Sequence, residues 1–309
     1  MIHYPSLDGL DLQNTWLTIG IFDGLHLGHR TLLARLVDGA HAENCQAIVL
    51  TFTPHPAIVL GGRADFKCLT TPEERAALLG DLGVDAVITQ TFDRDFADQT
   101  AEAFMRRAAR TLGLRRLVIG YDTALGRGRE GDAARLTELS LDLGYEVEIV
   151  EPIRQGEAII SSSAIRNQVR AGAVAEAAQL LGRWYALSGK VVHGDGRGRH
   201  INIPTANIDY PAEKLIPANG IYAAWAWVGS ERHPAATNIG INPTFTPEKQ
   251  TPNIEAHLLD FHRDLYGQEI KLEFVARLRD EMKFPSVEAL IEQIHADIKE
   301  TRNILDTPK

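Results

Sequence analysis

The chain has 309 residues, of which 44% are apolar and 24% charged, and its formal net charge is −9. That length suits two domains, each large enough to bury its own core. The acidic balance argues against a protein whose main task is gripping nucleic acid, which usually carries a basic excess, but it leaves room for a local basic pocket for phosphates.

In chain order, Trp16 to Phe22 reads as a strand and His29 to Ala42 as a helix with Leu32, Leu33, Leu36 and Val37 on one face. Ala47 to Phe52 is a second strand, stopped by Pro54 and Pro56. Thr71 caps a helix whose first position is Pro72. Val84 to Thr89, Leu117 to Gly120 and Glu146 to Val150 are further short strands. Strands separated by helices predict a parallel sheet with helices on both faces. After a helix-like stretch from Ala164 to Leu181 the pattern changes. Gly189 to His193, Ile221 to Val228, Ile254 to Phe261 and Ile270 to Leu278 are extended and punctuated by Gly, Pro and Asn, the mark of a small antiparallel barrel or sandwich. A last helix, capped by Ser286, carries Val287, Leu290, Ile291, Ile294 and Ile298 on one stripe. The domains are therefore expected over 1–184 and 185–309, with the boundary near Trp184.

Cys45 and Cys68 form neither a CxxC nor a zinc spacing and read as buried, reduced thiols of a cytoplasmic protein. The start, Met1 to Pro5, lacks the charge and apolar run of a signal peptide, and no apolar run is long enough to span a membrane.

The segment Gly20-Ile21-Phe22-Asp23-Gly24-Leu25-His26-Leu27-Gly28-His29 joins a strand to a helix. Gly24 and Gly28 let backbone approach a ligand, and the helix start offers N–H groups and a positive dipole end to a phosphate. His26 and His29 can donate hydrogen bonds to a phosphoryl group as charge builds. A turn with incidental histidines, or a metal pair, is the alternative reading of so short a motif. Farther on, Ser161, Ser162 and Ser163 lead into a helix, with Arg166 one turn inside. One hydroxyl suffices to cap it; three with an arginine would bind a polyphosphate, and Arg166 would stabilise departing pyrophosphate. The two segments together resemble the nucleotidyltransferase superfamily, which attacks the α-phosphate of ATP. Gly126-Arg127-Gly128-Arg129-Glu130-Gly131 fits GxGxxG, with Glu148 and Glu151 downstream, but it starts well after the strand ends and does not follow the first strand, which argues against a nicotinamide site.

In the second half, Gly194, Gly196 and Gly198 alternate with arginines and lead into Ile203-Pro204-Thr205-Ala206-Asn207. Such a loop is either an ordinary hairpin or a wrap for a phosphate chain. Thr205 and Asn207 offer the hard oxygen ligands that suit Mg²⁺. No GxxxxGK[ST] occurs, so any kinase here is not of the P-loop type. Glu255 and His257 share a strand face. A carboxylate facing a barrel mouth is placed to take a proton from a substrate hydroxyl, although a lone Glu more often marks a solvated face.

Across nearly its whole length the chain resembles the bacterial bifunctional riboflavin kinase/FMN adenylyltransferases. The resemblance rests on GIFDGLHLGH, TFTPHP, GRGREGD, ISSSAIR, GKVVHGDGRGR, IPTANI, NIGINPTF, EAHLLDF, DLYG and LRDEMKF. It implies a Rossmann-like nucleotidyltransferase domain followed by a small β-barrel kinase domain. His26, His29, Ser162, Ser163 and Arg166 would serve ATP in the first; Thr205 and Asn207 would hold Mg²⁺ and nucleotide in the second. Glu255 would activate the ribityl 5′-hydroxyl, while Asp122, Arg279 and Phe284 would meet the flavin. ATP is then co-substrate, FMN and FAD the products. Riboflavin, FMN and ATP would be the partners, without nucleic acid or membrane, and apo-flavoproteins transient acceptors. Two departures stand out. Where the family has an aspartate followed by Phe-x-Phe-Gly, this chain has Asp122-Thr123-Ala124-Leu125-Gly126, losing two rings of stacking surface. Ile201-Asn202 replaces the usual Leu-Gly. The first departure keeps a second reading in view, a kinase whose first domain only binds nucleotide or flavin.

Overall fold

The computed structural model describes residues 1–63, 65–155, 158–194, 203–241 and 252–306, in two compact units, Met1–Ser162 and Ser163–Lys309. In the first, strands β1 (Ile2–Tyr4), β2 (Thr15–Ile19), β3 (Gln46–Thr53), β4 (Ala86–Thr91), β5 (Leu114–Gly120) and β8 (Glu146–Val150) form one sheet ordered β1-β4-β3-β2-β5-β8. Every pairing in it is parallel. The helices are α1 (Leu27–Ala42), α2 (Pro56–Val59), α3 (Pro72–Asp81), α4 (Arg94–Ala97), α5 (Ala101–Leu112) and α6 (Ala133–Leu143). Alternation along the strands feeds two cores, one with Leu17, Ile48, Leu50 and Ile88, the other with Trp16, Val49, Val87 and Val118. The sheet is thus covered on both faces, as the apolar runs require. Thr71 caps α3 through a full capping box with Glu74, and Pro72 occupies its first turn.

The order reverses at β2, which lies between β3 and β5. In open α/β sheets, ligands bind beyond the strand carboxyl ends at such a switch point. The segment from Phe22 to His29 leaves β2 there.

The GxGxxG segment forms no dinucleotide turn. Gly126 and Gly128 take left-handed φ of 73° and 63° in a loop joining the antiparallel strands β6 (Ala124–Leu125) and β7 (Gly131–Asp132). Glu148 pairs with Arg35 and Arg116, whose charges hold its carboxyl below the usual range against the opposing effect of burial. A second small hairpin pairs β9 (Arg154–Gln155) with β10 (Ala158–Ile159).

Two helices, α7 (Ser162–Arg170) and α8 (Val174–Leu181), replace the single stretch expected over 164–181. The break is Gly172 at φ 76°; a Cβ there would come within 2.8 Å of the Tyr222 hydroxyl. Six antiparallel strands then close a barrel in the order β11-β12-β15-β14-β13-β16: β11 (Tyr185–Val192), β12 (Ala206–Asp209), β13 (Gly220–Val228), β14 (Glu231–Gly240), β15 (Asn253–Leu258) and β16 (Glu269–Arg279). Its interior is filled by Leu187, Tyr222, Ala224, Ile239, Ala256, Leu272 and Phe274. Strands β1, β12 and β14 were not anticipated. β14, Glu231-Arg-His-Pro-Ala-Ala-Thr-Asn-Ile-Gly, is polar and holds a proline, and its ladder partners on both sides impose the conformation that its composition disfavours.

The last helix, α9 (Val287–Asp306), packs on β13, β14 and β16. Ser286 caps it by accepting the Ala289 N–H at 3.2 Å. Leu290, Ile291, Ile294 and Ile298 of the expected stripe are half-buried, while Val287 is 58% exposed and the deepest residues are Asp297, Thr301 and Leu305. Of the two cysteines Cys68 is buried but Cys45 only half-buried.

Candidate active sites

In the first unit the turn after β2 is built by backbone that few residues tolerate. Phe22, Gly24 and Leu25 take φ of 51°, 83° and 39°. Asp23, 1% exposed, fastens the turn: its carboxylate accepts the N–H of Leu69 at 3.0 Å, the N–H of Thr70 at 2.9 Å and the Thr70 hydroxyl at 3.2 Å. Sequence reasoning missed Asp23, whose signal was a carboxylate inside a turn of this kind. The Gly24 N–H donates to the Thr70 hydroxyl at 3.1 Å, so glycine at 24 supplies conformation while its amide is committed within the protein. The Ser162 hydroxyl donates to the Asp23 carbonyl at 2.8 Å, tying the late serine segment to the early turn.

His26 is the N-cap of α1, and its Nδ1 accepts the His29 N–H at 3.3 Å. An accepting Nδ1 leaves the proton of a neutral ring on Nε2. The His26 and His29 rings stack at 3.6 Å with 17° between planes, and Phe22 meets His29 edge-on at 5.2 Å. A Cβ on Gly28 would come within 3.2 Å of the His26 ring, so glycine there makes room for the imidazole. Ser163 and Arg166 lie in the second unit on α7; Arg166 is buried and reaches the Ser163 hydroxyl at 3.5 Å. Asp122 is exposed beside the β6–β7 hairpin, and Leu125 packs into the core.

In the barrel, Asn207 of β12 and Asn238 of β14 stand opposite Glu255 of β15. Directly opposed residues share a face, so these three side chains form one row across three strands. Glu255 and His257 do lie together, alternating with the buried Ile254, Ala256 and Leu258. Their face is the outer wall of the barrel, not its mouth, and both are half-buried there. The Thr205 hydroxyl donates to Glu255 Oε2 at 3.3 Å, which turns its lone pairs away from the carboxylate. A Cβ on Gly194 would sit 2.3 Å from the Asn207 amide, so only glycine admits that side chain. Gly196 and Gly198, with Ile201 and Asn202, lie outside the described residues. Asn238 was not foreseen as a site residue, though its motif was; its Oδ1 is buried without a hydrogen-bond partner.

Arg279 ends β16, where its guanidinium lies 5.8 Å from the Phe284 ring. It is also gripped by Asp297, with Nη2 at 2.7 Å and Nε at 2.9 Å from the carboxylate oxygens. Gln293 donates to the same carboxylate at 3.0 Å. Asp297 escaped sequence reasoning because it sits among apolar residues on a helix whose docking face only the fold decides. Asp297→Asn leaves the Arg279 charge without its counter-charge in a half-dry setting. The expected loss is roughly 3 kcal/mol of stability in the second unit, read as a lower unfolding midpoint.

The FAD synthetase family model matches residues 10–164 and the riboflavin kinase model residues 181–305. A bifunctional riboflavin kinase/FMN adenylyltransferase of Listeria monocytogenes is 38% identical over 97% of this chain and 96% of its own length. The chain belongs to the bifunctional riboflavin kinase/FMN adenylyltransferase family. It phosphorylates riboflavin to FMN and adenylylates FMN to FAD, with ATP as co-substrate in both steps. Family members from Bacillus subtilis and Escherichia coli K12 are 35% and 36% identical, over 92% and 91% of this chain and 90% of each relative. A crystal structure described as a macrolide-efflux protein from Streptococcus pneumoniae superposes with a TM-score of 0.90 at 30% identity, covering 98% of this chain and 99% of that one. Among the described residues no helix is long and apolar enough to cross a membrane. The expected fold, a Rossmann-like unit followed by a small antiparallel barrel and a closing helix, is the observed one.

Proposed function

We propose that the two steps use two separate sets of residues, with the functional boundary near Trp184. The observation that carries the kinase assignment is the row Asn207–Glu255–Asn238 with Thr205 at its edge. Glu255 takes the proton of the ribityl 5′-hydroxyl as that oxygen attacks the γ-phosphorus of ATP. The new O–P bond forms while the bond to the β-phosphate oxygen breaks, and ADP leaves. Thr205 and Asn207 would hold Mg²⁺ through a hydroxyl and a carboxamide, hard oxygen donors that suit it, and the ion would neutralise charge on the phosphates. The bared Oδ1 of Asn238 supports a role in accepting a hydrogen bond from substrate. Gly194 leaves room for Asn207 beside the phosphates, and Arg279 with Phe284 borders the flavin, Asp297 holding the guanidinium in place.

In adenylyl transfer an FMN phosphate oxygen attacks the α-phosphorus of ATP and pyrophosphate departs. His26 and His29 donate to phosphate oxygens as charge grows, Gly28 and Ser162 shape the cradle, and Ser163 and Arg166 receive the pyrophosphate charge. Asp122 approaches the flavin. Thr123 and Leu125 offer it no aromatic surface, which lowers flavin affinity rather than changing the chemistry. The protein works in the cytoplasm, apart from nucleic acid, and passes its products to apo-flavoproteins. The test is incubation with riboflavin, ATP and Mg²⁺ and chromatography of the products. FAD is expected; FMN alone, even with FMN and ATP supplied in excess, overturns the assignment of the His26 turn to adenylyl transfer.

A further inference from the structure

A buried cation of the first unit has no part in the chemistry above. Arg75, in the first turns of α3, is 3% exposed. Its Nη1 donates to the Ile21 carbonyl at 3.1 Å and its Nη2 to the Phe52 carbonyl at 3.2 Å. The Nε is buried with no hydrogen-bond partner. Burial costs this charge heavily and pulls its affinity for the proton down; the opposing influences are Asp23, Cys68 and Glu73. None of these makes a hydrogen bond to it. A planar fork spent on two neutral carbonyls, at the cost of burying a full charge, calls for a reason beyond stability, because neutral groups would satisfy carbonyls more cheaply.

The placement of those carbonyls supplies the reason. Ile21 lies just past β2 and opens the turn that carries Asp23 and His26; Phe52 is near the end of β3, just before the turn of Pro54, His55 and Pro56. The two strands are neighbours in the sheet. A rigid fork spanning both ends sets how far apart the two turns start. The Thr51 hydroxyl donates to the same Ile21 carbonyl at 3.1 Å, and Asp23 ties the turn to Leu69 and Thr70, just ahead of α3. These bonds together fasten the base of the His26 turn: Thr51 ties β3 to the Ile21 carbonyl directly, and Arg75 joins the Ile21 and Phe52 carbonyls through one rigid group.

We propose that Arg75 is a positioning residue for adenylyl transfer: its guanidinium clamps the carboxyl ends of β2 and β3 and so holds the His26–His29 turn at the distance from its neighbour that the reaction needs. The proposal rests on the assignment of adenylyl transfer to that turn. Misplacement of a reacting group by about 1 Å costs on the order of 100-fold in rate, so the effect belongs in kcat.

The experiment uses the full chain with FMN, ATP and Mg²⁺, and compares Arg75→Lys, Arg75→Gln and Thr51→Val, with His29→Ala as comparator. Far-UV circular dichroism and the unfolding midpoint report folding. Lysine keeps the charge but reaches one carbonyl; glutamine keeps one donor without charge. Both are expected to lower kcat of FAD formation at least 10-fold, with KM for ATP changed less than about 3-fold and FMN formation from riboflavin unaltered. Thr51→Val, nearly isosteric, is expected to lower kcat several-fold in the same direction. A folded Arg75→Lys with unchanged kcat overturns the proposal. So does full activity in Lys with loss in Gln, since charge and not the fork would then matter, or an effect confined to KM. Should neither Arg75 variant fold, unchanged kcat in Thr51→Val overturns it and a several-fold loss supports it. Loss in His29→Ala without loss at Arg75 sinks the clamp alone; full activity in His29→Ala sinks the site assignment, and the clamp with it.

Discussion

Glu255→Gln is expected to reduce conversion of riboflavin to FMN by about 10²- to 10⁴-fold, the range of a general base, while FMN to FAD stays within about 2-fold. The substitution preserves shape and can still accept the Thr205 hydroxyl through its amide oxygen, so the barrel should fold unchanged. What vanishes is the ability to hold the proton released as the 5′-oxygen attacks phosphorus. The residues directly opposite it, Asn207 and Asn238, are carboxamides and cannot take the proton in its place. Steady-state rates with riboflavin and, separately, with FMN check both halves. Equal loss of both activities in a folded protein would refute one site per step. A small loss in the first step, under about 10-fold, would remove Glu255 as the base.

His29→Ala is expected to do the reverse, lowering FMN-to-FAD turnover by about 10²- to 10³-fold with FMN formation intact. His29 is a cleaner probe than His26. The His26 ring caps α1, and removing it costs about 1 kcal/mol of helix stability besides any catalytic donor. Alanine at 29 keeps the backbone N–H that the His26 ring accepts, and loses only the imidazole stacked at 3.6 Å. A loss in kcat with little change in KM for ATP marks donation that strengthens in the transition state. If KM alone moves, the ring binds ground-state phosphate and gives no rate advantage. The two substitutions together should separate the activities completely, and a mixture of the two variant proteins should restore FAD synthesis from riboflavin through free FMN.

Much of the first unit was legible from local pattern. Short β-branched runs between amphipathic helices specify a covered parallel sheet, and the Thr71-Pro72-Glu73-Glu74 run specifies a capped helix start, because each signal lies within one or two turns of chain. The GxGxxG segment could be set aside from sequence because its distance from the preceding strand is also local. Strand β14 could not be found that way: its pairing to β13 and β15 outweighs a polar, proline-bearing composition. On α9 the expected stripe is half-buried at Leu290, Ile291, Ile294 and Ile298, but only packing on β13, β14 and β16 decides that the deepest residues are the adjoining Asp297, Thr301 and Leu305.

From the residues alone came the two-part architecture, the turn of His26 and His29 at a strand-to-helix junction, and Glu255 and His257 sharing a strand face, since each depends on spacing within a single element. Tertiary structure alone decided which distant groups meet. Asn207 and Asn238 come to flank Glu255 only when the barrel closes in one register. Asp23 is buried under Leu69 and Thr70, Ser162 reaches the Asp23 carbonyl, and Arg75 bridges two strand ends. A register slip of one residue would turn Glu255 inward and Ala256 outward, so the buried apolar faces, summed over all six strands, select the register that assembles the row.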